Sequence, residues 1–131
     1  MNSDISLCLA KTRKPDVTFH INGRIDITAL VAKQLSLSEG DIIDIAKRKG
    51  EFLLYRKHKS GEIMGRHEGR LCSTKACKSY CNNLRAYSKR LCDVIFEETG
   101  IEAEAVRLPA GLAEETEGLG MALPMITRNP L

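Results

Sequence analysis

Five cysteines (Cys8, Cys72, Cys77, Cys81 and Cys92) and three histidines (His20, His58 and His67) are the side chains here best suited to metal or nucleophilic chemistry. Cys72, Cys77 and Cys81 lie close together in LCSTKACKSYC, just downstream of His67. A structural zinc site usually contains a Cys-x2-Cys pair, because that turn aims two sulfurs at one ion. The intervals here are four and three residues. No metal and no cofactor is therefore expected. An odd cysteine count, with no export signal expected in MNSDISLCLAKTRK, suits reduced thiols and a cytoplasmic setting. Cys92 falls on the apolar side of a helical pattern and reads as a small core residue. A redox switch built from Cys72, Cys77 and Cys81 is the weaker alternative to inert thiols. The histidines lack a recognisable Ser/Asp companion arrangement, and no Gly-rich phosphate loop follows a strand. The expectation is that the chain is not an enzyme.

Charge gives the second chemical signal. The 131 residues carry a net charge of +3, with 43% apolar and 28% charged side chains, an ordinary globular composition. Residues 1–41 hold 5 basic and 5 acidic side chains, residues 42–90 hold 13 and 4, and residues 91–131 hold 2 and 8. A positive zone of this kind suits a polyanion. An acidic C-terminal part that neutralises it is the competing explanation. Apolar runs are short, so no membrane span is expected. Aromatic content is 5% with no Trp, which leaves few platforms for stacking single-stranded bases.

The elements that would position these charges follow from hydrophobic period. Ile5–Ala10 is a short apolar strand, and Lys11–Pro15 a basic loop. Val17, Phe19 and Ile21 alternate with Thr18 and His20, and Ile25 and Ile27 alternate with Arg24, Asp26 and Thr28. Asn22-Gly23 between them predicts a two-residue hairpin. A short helix follows from Thr28, its cap, to Leu35. Asp41–Ile45 and Phe52–Tyr55 form a second hairpin around the basic turn Lys47–Gly50. The stretch from His58 to Gly69 is loop-like, and Arg70–Thr74 is a short strand. Leu84, Tyr87, Leu91, Cys92, Ile95 and Phe96 predict one longer amphipathic helix over 79–99, stopped by Gly100. A strand over 102–108, an acidic loop over 113–118 and an apolar strand over 121–127 complete the chain, with Pro124 making the last one an edge strand or a bent one. Met121, Leu123, Met125 and Ile126 are too apolar for a free tail.

The segment FHINGRIDITALVAKQLSLSEGDIIDIAKRKGEFLLYRK resembles the swapped-hairpin DNA-binding module of the AbrB, MazE and SpoVT family. Gly23-Arg24, the apolar alternation after it, the short helix, Gly40-Asp41 and Ile43, Ile45, Leu53 and Leu54 carry the resemblance. The family commonly has Pro at the position of Thr28 and Arg at that of Ala32. Of the basic residues that the resemblance assigns to DNA, Arg24 and Lys33 stand at matching positions. The resemblance covers residues 17–57 and implies a swapped-hairpin, β-barrel-like N-terminal module over 1–60. The longer helix and a C-terminal β-hairpin over 61–131 lie outside it and follow from the hydrophobic pattern, so the fold class expected is α+β. The resemblance also implies a homodimer, since two hairpins and a short helix hardly close a core alone.

The function expected is that of a dimeric regulator binding double-stranded DNA. The contacts expected are Arg24 and Lys33 from the module, Lys47, Arg48 and Lys49 at the hairpin tip, and Arg56 and Lys57 from the basic zone. The alternative is a protein-interaction or antitoxin-like module, with a protein partner instead of DNA. One continuous basic face would favour DNA, and cations paired with the acidic part would favour protein interaction.

Overall fold

The computed structural model describes residues 15–62, 65, 67–74 and 83–127. The expected strand over 5–10, most of the basic loop after it, and Cys8, Cys77 and Cys81 lie outside those residues. Alternation is realised in β1 (Asp16–His20) and β2 (Arg24–Ile27), which bury Val17, Phe19, Ile25 and Ile27. The connection is a three-residue loop, not the expected two-residue turn. Phe19 pairs with Ile25, so Ile21, Asn22 and Gly23 remain between the strands. Gly23 alone takes a positive φ, at 103°, and Arg24 N donates to Asn22 Oδ1 at 3.0 Å. A turn ending in one left-handed glycine is the usual three-residue solution.

Helix α1 (Ala29–Gln34) follows Thr28, but Thr28 does not cap it through its side chain. Its Oγ1 donates to Asp16 O at 3.1 Å and accepts from Asp16 N at 3.2 Å. Asn83, distant in sequence, supplies the cap: its Oδ1 accepts from Ala29 N at 2.8 Å. Strands β3 (Ile42–Arg48) and β4 (Glu51–His58) turn through Lys49 and Gly50, both with positive φ (45° and 84°). The two left-handed residues match the strand twist in such a turn.

The second part of the chain contains β5 (Cys72–Ser73), β6 (Leu84–Tyr87), α2 (Lys89–Thr99), β7 (Ala105–Pro109), β8 (Glu114–Thr116) and β9 (Gly120–Met125). Two expectations are corrected here. Residues 84–87 are a strand, and the helix expected over 79–99 begins at Lys89, where Ser88 Oγ accepts from Leu91 N at 3.1 Å. Leu84 and Leu91 fit a helical period, but Leu84 and Ala86 alternate with outward Arg85 and Tyr87 in the sheet. The acidic loop contains β8, which pairs with β9. Gly100 ends α2 at φ 68°, as expected.

The fold is mixed α+β, mostly antiparallel strands. Among the described residues one sheet runs β5-β6-β2-β1-β7 and the other β3-β4-β9-β8. Single-residue bridges, Ile42 to Arg70 and Ala110 to Met125, touch the sheets together at their corners. This is not a closed barrel, so the barrel-like expectation is corrected. Isolated bridges replace the continuous ladder that closure needs.

Two stretches share one order of elements: β1-β2-α1-β3-β4, then β5-β6-α2-β7-β9, with β8 as an extra strand. Their partners cross over. The first hairpin is flanked by β7 of the second stretch through Phe19–Val106. The segment entering β5 is bonded to β3 of the first: Ile43 N donates to Gly69 O and Leu71 N to Asp41 O. Strand β2 pairs with β6, and β4 with β9. A local two-fold through the Ile25–Ala86 pair exchanges Arg24 with Arg85. It also brings Phe19 onto the place of Leu71 and Ile43 onto that of Leu108. Thus the strand partners expected from a second copy of residues 17–57 are supplied here by the same chain. The core reflects this, joining Val17, Phe19, Ile25, Ile43 and Leu54 to Ile95, Leu108, Leu123 and Met125. The described residues after 60 pack on those before it in one continuous interior. No helix among the described residues is long and apolar enough to cross a membrane.

Candidate charged site on the five-stranded sheet

The inner face of the five-stranded sheet is apolar, so its outer face receives every alternate side chain. Strand register sets these in rows. Across one row stand Cys72, Arg85, Asp26, Thr18 and Arg107, each on its own strand. Tyr87 and Arg24 face each other in the neighbouring row. His20 stands beside them, with Nε2 3.2 Å from Arg24 Nη2.

Asp26 is the centre of this arrangement. Arg85 Nε donates to its Oδ1 at 2.7 Å and Arg24 Nε to its Oδ2 at 3.2 Å, while His20 Nε2 lies 2.8 Å from the same Oδ2. Burial pushes the Asp26 carboxyl up. The Arg85 and His20 hydrogen bonds and the charges of Arg85 and Arg24 outweigh that and hold it below its ordinary value. A second carboxylate, Asp16, is 4% exposed and lies 3.8 Å from Arg107 Nε. Asp16, Asp26, Thr18, Thr28, Asn83, Arg85 and Arg107 line a shallow concavity of about 290 Å3.

The charges of this face differ in depth. The side chain of Asp16 is 6% exposed and that of Asp26 30%, whereas Arg107 is 54%, Arg24 35% and Arg85 32% exposed. Asp16 lies deepest and Arg107 stands out furthest, while Asp26, Arg85 and Arg24 are exposed to nearly the same degree. An arginine carries five N–H donors, so a guanidinium held through Nε keeps others for a second acceptor. The N–H groups left over can donate to an anion. Arg85 and Arg107 were not among the expected contacts. Their signal in the sequence is their alternation with Leu84 and Ala86, and with Val106 and Leu108, which marks outward positions on strands.

The seven expected contact residues do not form one face. Lys47, Arg48 and Lys49 occupy one end of the β3–β4 hairpin, Arg56 and Lys57 the other, and Arg24 belongs to the other sheet. Five have carboxylate neighbours. Arg24 meets Asp26, Lys47 lies 3.6 Å from Glu98, and Arg48 bonds both Glu51 (2.5 Å) and Glu114 (2.9 Å). Arg56 lies 3.9 Å from Asp41 and Lys57 3.9 Å from Asp44. Lys33 and Lys49 are exposed and make no ion pair among the described residues. Exposed pairs of this kind contribute little to stability, because solvent screens them. Their main consequence is that Lys47 and Arg48 face part of the acidic C-terminal stretch.

Cys92 is fully buried, and its Sγ donates to Arg24 O at 3.6 Å. Burial pushes its thiol up to about 11. The thiolate is the reactive form, so alkylation by iodoacetamide at neutral pH should leave the Cys92 peptide unmodified until denaturant is added. Mass-spectrometric site mapping checks this, and native-state labelling of Cys92 on a par with half-exposed Cys72 would contradict it. Among the described residues no group of three or more His, Cys, Asp or Glu side chains is placed to hold a metal ion. No protein-family model, curated protein or solved structure matches the chain.

Proposed function

We propose that the chain is a DNA-binding regulator that meets the duplex with the outer face of its five-stranded sheet. The observation that carries the reading is the group of three guanidiniums, Arg24, Arg85 and Arg107, on this face, where they outnumber Asp26 and the buried Asp16. Phosphates are bound by such donors, and phosphate neutralisation supplies most nonspecific affinity. Arg24 is the one residue common to this group and to the resemblance. The exchange of hairpins between the two stretches of the chain supports the same family reading, because strand exchange is the feature the resemblance implies. The hairpin tip contributes less on this reading, since Arg48 is already engaged by Glu51 and Glu114.

Duplex DNA should be retained by the full chain at about 50 mM salt and released as salt rises. Arg24→Ala and Arg107→Ala should each lower the slope of log K against log salt by about 0.9. Changing Lys47, Arg48 and Lys49 together to Ala should lower it by less than the Arg24 and Arg107 changes combined. The reverse ranking, measured by fluorescence anisotropy across salt, moves the site to the hairpin tip.

The contacts Arg48–Glu114 and Lys47–Glu98 favour a second reading, a protein-interaction module whose basic zone is neutralised internally. Absence of duplex binding at about 50 mM salt selects that reading.

A further inference from the structure

The paired stretches do more than complete the core. A dimer of identical chains presents the same side chains on both sides of its two-fold axis, so it reads a palindromic site. Here the two-fold relation is kept by the backbone and broken by the side chains. About the Ile25–Ala86 pair, Arg24 and Arg85 exchange, but Asp26 exchanges with Tyr87 and His20 with Cys72. One flank of the outer face therefore offers an Asp and a His, and the other a Tyr that is 55% exposed and a thiol. The helices that follow the central strands also differ, six residues in α1 against 11 in α2. The edges through which identical modules would exchange are already occupied within the chain, β1 by β7, β2 by β6 and β4 by β9.

We infer that a single copy of this chain engages a duplex site that lacks two-fold symmetry. The inference rests on the DNA reading above. The Arg24 and Arg85 pair, the part of the face that keeps the symmetry, anchors phosphates on either side of the local axis. The unlike flanks then meet unlike half-sites.

The test uses the full chain. A random-sequence duplex pool is enriched on it, and the selected duplex is titrated under analytical ultracentrifugation. The expected result is a complex of one chain per duplex and an enriched sequence that differs from its own reverse complement. Replacing one half of that sequence by the reverse complement of the other half, which makes the site palindromic, should weaken binding at least 10-fold. Arg24→Ala and Arg85→Ala should lower the salt slope by similar amounts, about 0.9 each. Two chains per duplex, or an enriched palindrome, overturns the inference while leaving DNA binding intact. A pool that is not retained even at about 50 mM salt overturns both. The circular dichroism spectra of the two arginine variants, compared with the parent chain, separate lost contacts from lost fold.

Discussion

Phe19→Ala should destabilise the chain by about 3–5 kcal/mol, the largest loss expected from any single truncation considered. Phe19 is fully buried and sits in the middle of β1, paired with Ile25 on one side and Val106 on the other. Removing its ring therefore opens a cavity between the two stretches of the chain, where neither can close it alone. Domains are stable by only about 5–15 kcal/mol, so milder variants complete the series: Ile25→Val should cost about 0.5–1.5 kcal/mol, and Leu112→Ala, at a side chain 82% exposed, less than about 0.5 kcal/mol. Urea unfolding followed by circular dichroism measures all three. The shape of the curve matters as much as its midpoint. Because the core joins residues of both stretches, Phe19→Ala and Leu123→Ala should each shift one common transition. Two separate transitions, each moved by one of the two changes, would mean that residues 1–60 and 61–131 fold as independent units.

Local pattern made the first stretch legible, and distance in sequence hid the rest. The alternation of Val17, Phe19, Ile25 and Ile27 needs no partner to be read, and the basic turn at Lys49-Gly50 is visible in composition. The start of α2 was hidden because Leu84, Tyr87 and Leu91 satisfy a helical spacing while Leu84 and Ala86 also satisfy alternation. Pairing with Ile27 and Ile25 of β2 decides between the two. The cap of α1 was hidden because Asn83 lies 54 residues from Ala29. The candidate site suffered the same limitation. Arg24 was marked by its neighbours, but Arg85 and Arg107 join it only through strand register. Arg107 also stands in the acidic part of the chain, where charge counting draws attention away from it. The basic run at 47–49 stood out in sequence, yet two of its three cations are engaged, Lys47 beside Glu98 and Arg48 by Glu51 in its own hairpin and Glu114 across the fold.

Asp26→Asn should move stability and DNA binding in opposite directions. The carboxylate accepts from Arg24 and Arg85 and lies beside His20, so the amide leaves these groups without their negative partner. Hydrogen bonds to charged groups contribute about 1.5–3 kcal/mol, and partial exposure reduces that here, so a loss of about 1–2 kcal/mol is expected at pH 7. The pH dependence carries the sign. The folded state holds the Asp26 carboxyl below its ordinary value. Its contribution is therefore present above the unfolded value near about pH 4 and is lost as pH falls through the lower folded value. The gap in stability between parent and variant should narrow on acidification through that range. At the same time the variant removes a negative charge from among the arginines of this face. Charges about 4 Å apart in water interact by about 1 kcal/mol, so duplex DNA should bind roughly five-fold more tightly at low salt, with the gain fading as salt rises. A variant that loses both stability and DNA affinity would assign Asp26 to orienting Arg24 and Arg85 toward phosphate. Unchanged affinity at low salt would place the DNA contact away from this face.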